Sequence, residues 1–182
     1  MRPVSDEAAC RTIGLSLGDT LLRLAGPEQT NLRETFARLF VQRADRVMSD
    51  KTVLFEGVPE TMRVLEDKGM VLGIVSTKFR YRIETVLERE KVLDSFDVIV
   101  GGEDVVHHKP DPESLELAMK KLGLRENVLY VGDSVTDAEA ARRAFVPFVA
   151  VLSGVTPGDA FEGYELCAVV RNVSELGAWL ES

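Results

Sequence analysis

Three short stretches carry residues that could act on a phosphate group: Ser76-Thr77-Lys78, Lys109 with the prolines after it, and Asp133 to Asp137. A hydroxyl donates one hydrogen bond to a phosphoryl oxygen, and a lysine supplies a point charge for a phosphate or a carboxylate. A pair of nearby carboxylates suits a hard cation such as Mg²⁺, which takes one or two carboxylates together with water and phosphate oxygens. Each residue taken alone also has an ordinary structural use. Ser76 could end a strand or cap the next helix. Lys109 could be a surface lysine. Asp133 and Asp137 could cap a helix and complement its dipole. What joins them is their place after successive apolar runs.

Those runs are VLGIVS from Val71 to Ser76, FDVIV from Phe96 to Val100, VLYV from Val128 to Val131, Pro147 to Leu152, and Ala168 to Val170. They are short and apolar, as expected of strands buried on both faces. Helical patterns separate them, over Pro59 to Asp67, Tyr81 to Glu90, Pro112 to Leu122 and Asp137 to Ala144, and Val173 to Leu180 closes the chain. Strands alternating with helices of this length predict parallel βαβ units with right-handed crossovers. Such sheets bind ligands beyond the carboxyl ends of their strands. The topology therefore brings Ser76, Lys109, Asp133 and Asp137 to one edge of one sheet.

The first third reads differently. Leu17, Leu21 and Leu24 form a helical stripe, stopped by Ala25-Gly26-Pro27. Asn31, with Glu34 three residues on, is the expected N-cap of a second helix running to about Met48.

Charge and composition narrow the partners. Of 182 residues, 45% are hydrophobic and 29% charged, enough for a packed core without staples. The net charge of −8 argues against nucleic acid or an anionic membrane as the main partner, because both attract basic surfaces. No apolar run approaches a membrane span, and the N-terminal residues lack the apolar core of a signal peptide. Cys10 and Cys167 stand far apart in no metal-type spacing, so two reduced thiols in a cytoplasmic protein are expected.

Three pieces taken in order resemble a known family. They are LFEGVPETMRVLEDKGMVLGIVSTKFR (Leu54 to Arg80), FDVIVGGEDVVHHKPDPE (Phe96 to Glu113) and VLYVGDSVTDAEAARRA (Val128 to Ala144). Together they resemble the haloacid dehalogenase superfamily, in its phosphoglycolate phosphatase and pyrophosphatase-like branch. The resemblance implies an α/β fold with a Rossmann-like core, a parallel sheet sandwiched by helices, over residues 53–182. It also implies a reduced, partial helical cap over residues 1–52. The implied activity is Mg²⁺-dependent hydrolysis of a small phosphorylated metabolite. By the same resemblance Ser76 binds the transferring phosphoryl group and Lys109 steadies it. Asp133 is a metal ligand, Asp137 supports it or also binds Mg²⁺, and Thr77 and Lys78 lie beside the phosphate.

One part of the pattern has no counterpart. Family members open with a strand followed by Asp-x-Asp-Gly-Thr-Leu, whose first aspartate is the nucleophile, and no such run occurs in this sequence. Two explanations compete. In one, SLGDTL (Ser16 to Leu21) is a decayed first motif ending a strand CRTIGLSL, with Ser16 at the nucleophile's place and Gly18 at the acid/base. In the other, residues 1–52 are the remaining part of the cap and the chain begins part way into it. Either leaves the aspartate missing, so weak or absent turnover is expected. The alternative function is a pseudo-enzyme acting as a binding or assembly module. In the family the missing strand lies between the strands ending at Ser76 and Gly132. Residues 9–17, direct pairing of the two edges, or a strand from a second chain could close that gap. A homodimer or strand-swapped assembly is therefore expected among the partners.

Overall fold

The computed structural model describes residues 4–181. The chain divides into two compact units, one ending at Thr52 and the other beginning at Val53.

The first unit is helical, with α1 over Asp6–Cys10, α2 over Leu17–Ala25 and α3 over Arg33–Lys51. Ser5 and Ser16 cap α1 and α2, their hydroxyls accepting from the amides of Ala8 and Asp19. Leu21 of the predicted stripe is 1% exposed. Residues 9–17 form no strand: Cys10 ends α1, turns follow, Ile13 is exposed, and Ser16 is the cap of α2. This overturns the decayed-motif reading of SLGDTL, in which Ser16 ends a strand. The expected cap at Asn31 is also corrected. Pro27–Leu32 winds as a 3₁₀ segment, with Thr30 Oγ1 donating to the Pro27 carbonyl at 2.7 Å, and Leu32 sits at the start of α3. Pro27 stands at the first position of this segment, where its missing N–H leaves no bond unmade, and the non-helical backbone at Gln29 separates the winding from a regular α-helix.

The second unit alternates in the expected order. It contains α4 (Val58–Asp67), β1 (Gly73–Val75), α5 (Arg80–Arg89), β2 (Val98–Val100), α6 (Glu113–Leu122), β3 (Tyr130–Gly132), α7 (Val135–Arg143), β4 (Phe148–Val151), β5 (Ala168–Val170) and α8 (Ser174–Trp179). Among the described residues the three strand pairings are all parallel, and they make two sheets: β1 with β2, and β3 with β4 with β5. β1 and β3 are not hydrogen-bonded to each other. Direct pairing of these two edges, one of the three expected ways to close the gap, is thus not what the chain does.

Alternate residues of a strand turn their backbone groups to opposite sides. The Ser76 amide donates to Val100 O, so Gly73 and Val75 point theirs away from β2. The Tyr130 amide donates to Pro147 O, so Val131 points its own away from β4. Helices cover both faces. On one face a single apolar cluster holds Met62 and Leu65 of α4, Leu176 of α8, and Val149, Val151 and Val170 of the larger sheet, with Leu72, Phe96, Leu129 and Val131 packed against it. The other face has two clusters. Val98 and Val100 pack with Ala118 of α6, and Phe148 and Ala150 pack with Ala138 and Ala141 of α7. One helical layer therefore runs under both sheets, and the opposite layer is divided between them.

Leu65 is 5% exposed at the centre of the shared cluster. Leu65→Ala is expected to lower the unfolding free energy by about 2–5 kcal/mol. Urea unfolding followed by fluorescence of Trp179, which packs on the same cluster, measures it directly.

Candidate functional site

The segments after β1, β2 and β3 converge, as parallel topology requires. Ser76 directly follows β1, and its hydroxyl accepts from the Lys78 amide at 3.2 Å, forming a tight turn. Ser76 and Thr77 are half-buried and Lys78 is exposed. The loop after β2 clasps this turn. The Gly102 amide donates to the Lys78 carbonyl at 2.9 Å, and a Cβ on Gly102 would lie 2.5 Å from the Thr77 carbonyl oxygen. Glu103 accepts from the Arg80 amide at 2.9 Å, and Asp104 pairs with the Arg80 guanidinium while accepting from the Gly101 amide at 2.7 Å.

Lys109 arrives on the loop between β2 and α6, before a cis bond to Pro110. A carboxylate braces that loop: Glu113 accepts from the amides of Val106 at 3.0 Å and His107 at 2.8 Å, and its oxygen lies 2.9 Å from the His107 Nδ1. Those backbone hydrogen bonds, with the His107 ring, hold the Glu113 carboxyl below its ordinary range. Lys109 then turns inward, its side chain 11% exposed. Its ammonium meets Asp137 Oδ1 at 2.5 Å, the Tyr130 hydroxyl at 3.1 Å and the Val75 carbonyl at 3.5 Å.

Asp137 stands in the first turn of α7 and is 4% exposed. Its Oδ1 accepts from Lys109 and from the Tyr130 hydroxyl at 2.8 Å, and its Oδ2 accepts from the Ser134 amide at 3.2 Å and hydroxyl at 2.5 Å. Ser134 in return accepts from the Asp137 amide, a reciprocal cap at the helix start. Burial pushes the Asp137 carboxyl up. The Lys109 charge and the hydrogen bonds from Lys109, Ser134 and Tyr130 more than reverse this, so it lies below its usual range. For Tyr130, burial first and then the Asp137 carboxylate push the phenol well above its ordinary value, so it stays a proton donor.

Asp133 has a different setting. It follows β3 directly, is exposed, and faces the loop after β4, where a Cβ on Gly154 would lie 2.7 Å from the Asp133 Cβ. The two carboxylates differ accordingly. Asp137 has both oxygens engaged by protein donors, whereas Asp133 opens toward solvent. An exposed carboxylate of this kind suits a Mg²⁺ ion that keeps most of its waters. Asp133 is the residue that would hold such an ion.

Lys109 and Asp137 are thus in direct contact, with Ser76 one residue from the carbonyl that Lys109 touches. Thr77 and Lys78 share the clasped turn. Tyr130 and Gly154 join the site without being among the residues that the motifs single out. A tyrosine in the otherwise apolar VLYV run was a readable signal, since a buried phenol needs a partner. Nothing local marks Gly154, whose contact with Asp133 spans two elements.

The fold and these motif segments define a class. Residues 1–151 match the family described as haloacid dehalogenase-like hydrolase, and the chain belongs to that family. Among individual proteins, it is 32% identical over 146 residues to the phosphoglycolate phosphatase of Shigella boydii, covering 80% of this chain and 56% of that protein. It is 37% identical over 130 residues to the phosphoglycolate phosphatase of Salmonella typhimurium, covering 71% of this chain and 50% of that protein. The chain therefore spans about half the length of these relatives. A crystal structure from Bacteroides fragilis, described as haloacid dehalogenase-like, superposes with a TM-score of 0.92 at 39% identity, over 95% of this chain and 83% of the other. A hydrolase from Pseudomonas syringae superposes with a TM-score of 0.83 at 24% identity, over 98% and 84%, and shares the fold. The α/β core, with parallel strands between helices, matches these neighbours.

Proposed function

We propose that this chain carries the phosphate-binding half of a Mg²⁺-dependent phosphatase acting on a small phosphate monoester. The observation that carries the reading is the inward-turned Lys109 ammonium, set against Asp137 and beside Ser76, with Asp133 open to solvent. Ser76 and Lys109 bind the phosphoryl oxygens, Thr77 and Lys78 line the approach, and Asp133 holds the cation. Asp137 supports the site by holding Lys109. Bound Mg²⁺ would supply charge neutralisation at the phosphate. The curated relatives are named phosphoglycolate phosphatase, which supports a small phosphorylated substrate. The helical unit ending at Thr52 is read as a partial helical cap.

These residues bind and orient; none is a carboxylate placed to attack phosphorus. The sequence holds no Asp-x-Asp-Gly-Thr run, so turnover by this chain is expected to be weak or absent. The second reading is a binding or assembly module, favoured by the unpaired edges of β1 and β3, which can accept a strand from a second copy in a homodimer or swapped assembly. No helix among the described residues is long and apolar enough to cross a membrane. Cys10 and Cys167 are both free, which fits the reducing cytoplasm.

The test compares the chain with a Lys109→Ala/Asp133→Ala double variant, measuring binding of inorganic phosphate with Mg²⁺ and turnover of an aryl phosphate. The expected result is phosphate binding by the chain alone and equal background turnover in both. Failure of the chain to bind phosphate overturns the phosphate site. Metal-dependent turnover lost in the variant would show that another nucleophile is present.

A further inference from the structure

We propose that Tyr130 is the positioning residue for Lys109, acting through its phenolic hydroxyl. The inference rests on reading Lys109 as the cation of a phosphate site. An ammonium has three protons to place. Lys109 directs two of them at Asp137 Oδ1 and the Tyr130 hydroxyl, at 2.5 and 3.1 Å, and its third contact, the Val75 carbonyl, is the longest at 3.5 Å. The Tyr130 hydroxyl gives its own single proton to the same Asp137 oxygen at 2.8 Å. The three polar atoms close a triangle in which every donor and acceptor has a defined role. A phenol completes it because it accepts and donates at one atom. Phenylalanine, with the same ring, does neither.

The ring itself is held from beneath. Tyr130 and Phe148 have centroids 5.8 Å apart, Phe148 and Phe161 lie 6.3 Å apart, and both phenylalanines are 2% exposed. The Lys109 nitrogen also lies 5.8 Å from the centre of the Tyr130 ring. An aromatic column in the core therefore fixes a hydroxyl at the edge of the charged site. Lysine is a compact charge on a flexible four-carbon stem, and one carboxylate partner leaves it free to swivel. A second acceptor at a fixed point removes that freedom. It leaves the weakly held proton, directed toward Val75 and the adjoining Ser76, as the one a phosphoryl oxygen takes.

The experiment uses the full chain and its Tyr130→Phe and Lys109→Met variants. Inorganic phosphate affinity in Mg²⁺ is measured by calorimetry, and the Lys109 ammonium resonance by ¹⁵N NMR, assigned by its loss in Lys109→Met. Thermal unfolding is recorded for all three. The expected result is phosphate binding about tenfold weaker in Tyr130→Phe, the scale of one hydrogen bond to a charged group. The ammonium resonance should broaden through faster proton exchange. Lys109→Met should weaken binding further. Unchanged affinity and an unchanged resonance in Tyr130→Phe, with binding lost in Lys109→Met, overturn the positioning role and leave the phosphate site standing. A lowered melting temperature with unchanged affinity likewise makes Tyr130 a packing residue only. Wild-type affinity in Lys109→Met overturns the underlying reading instead.

Discussion

Asp137→Ala is expected to lower the unfolding free energy by about 3–5 kcal/mol, the cost of leaving a buried charge without its partner. The carboxylate is 4% exposed, and its loss strands a Lys109 ammonium whose side chain is 11% exposed, together with the Ser134 amide at the start of α7. Urea unfolding followed by Trp179 fluorescence gives the magnitude. The milder Asp137→Asn gives a second reading through pH. The Asp137 carboxyl lies below its ordinary range in the folded chain: burial raises it, and the Lys109 charge and the hydrogen bonds from Lys109, Ser134 and Tyr130 more than reverse that. A group with a depressed folded-state pKa contributes stability that is fully present above its unfolded value and is lost as pH falls through the folded one. The wild-type chain should therefore lose stability on acidification below the ordinary carboxylate range. Asp137→Asn should flatten that acid limb while lowering the plateau at neutral pH. An unchanged acid limb would show that Asp137 is not ionised in the fold.

Gly102→Ala is expected to produce the second large effect, and it acts on the site from outside it. Gly102 is buried, and the added methyl would lie 2.5 Å from the Thr77 carbonyl oxygen and 3.1 Å from its carbonyl carbon. Both are backbone atoms, so no side chain can rotate away. Either the clasp between the Gly102 amide and the Lys78 carbonyl opens, or the Ser76-Thr77-Lys78 turn moves. Overpacking of this kind costs about 1–3 kcal/mol. Displacing the turn should also remove most phosphate affinity, since Ser76 is then misplaced relative to Lys109. Phosphate calorimetry beside urea unfolding checks both parts. Wild-type affinity in this variant would mean that the turn adapts without moving Ser76.

Much of this arrangement was legible in the residues alone. The apolar runs ending at Ser76, Val100 and Val131, separated by helical patterns, were sufficient for a parallel α/β core with its polar residues at one edge. What failed was local ambiguity. Ile13, Leu15 and Leu17 alternate as a strand would, yet Ser16 with Asp19 three residues on is also a helix start, and the capping hydrogen bond prevails. Asn31 and Glu34 carried a capping pattern, but Pro27 begins a 3₁₀ winding that reaches Leu32 first. The contacts that set the character of the site come from outside the motifs. The Tyr130 hydroxyl, the Gly102 approach to Thr77 and the Gly154 approach to Asp133 each join elements distant in sequence. Residue spacing could place Asp133 and Asp137 at the same strand end. It could not show that one faces solvent while the other is consumed by Lys109, Tyr130 and Ser134.

The split between the two sheets gives Lys109 a mechanical part as well. The lysine comes from the loop beyond β2, in the smaller sheet's half, and touches Val75 there, while its strongest partners, Asp137 and Tyr130, belong to the larger sheet's half. On the face of α6 and α7 the apolar packing is divided, so the ammonium bridges the two halves there, opposite the continuous α4 and α8 layer. The lysine proposed to bind phosphate is therefore also a tie between the two halves of the core.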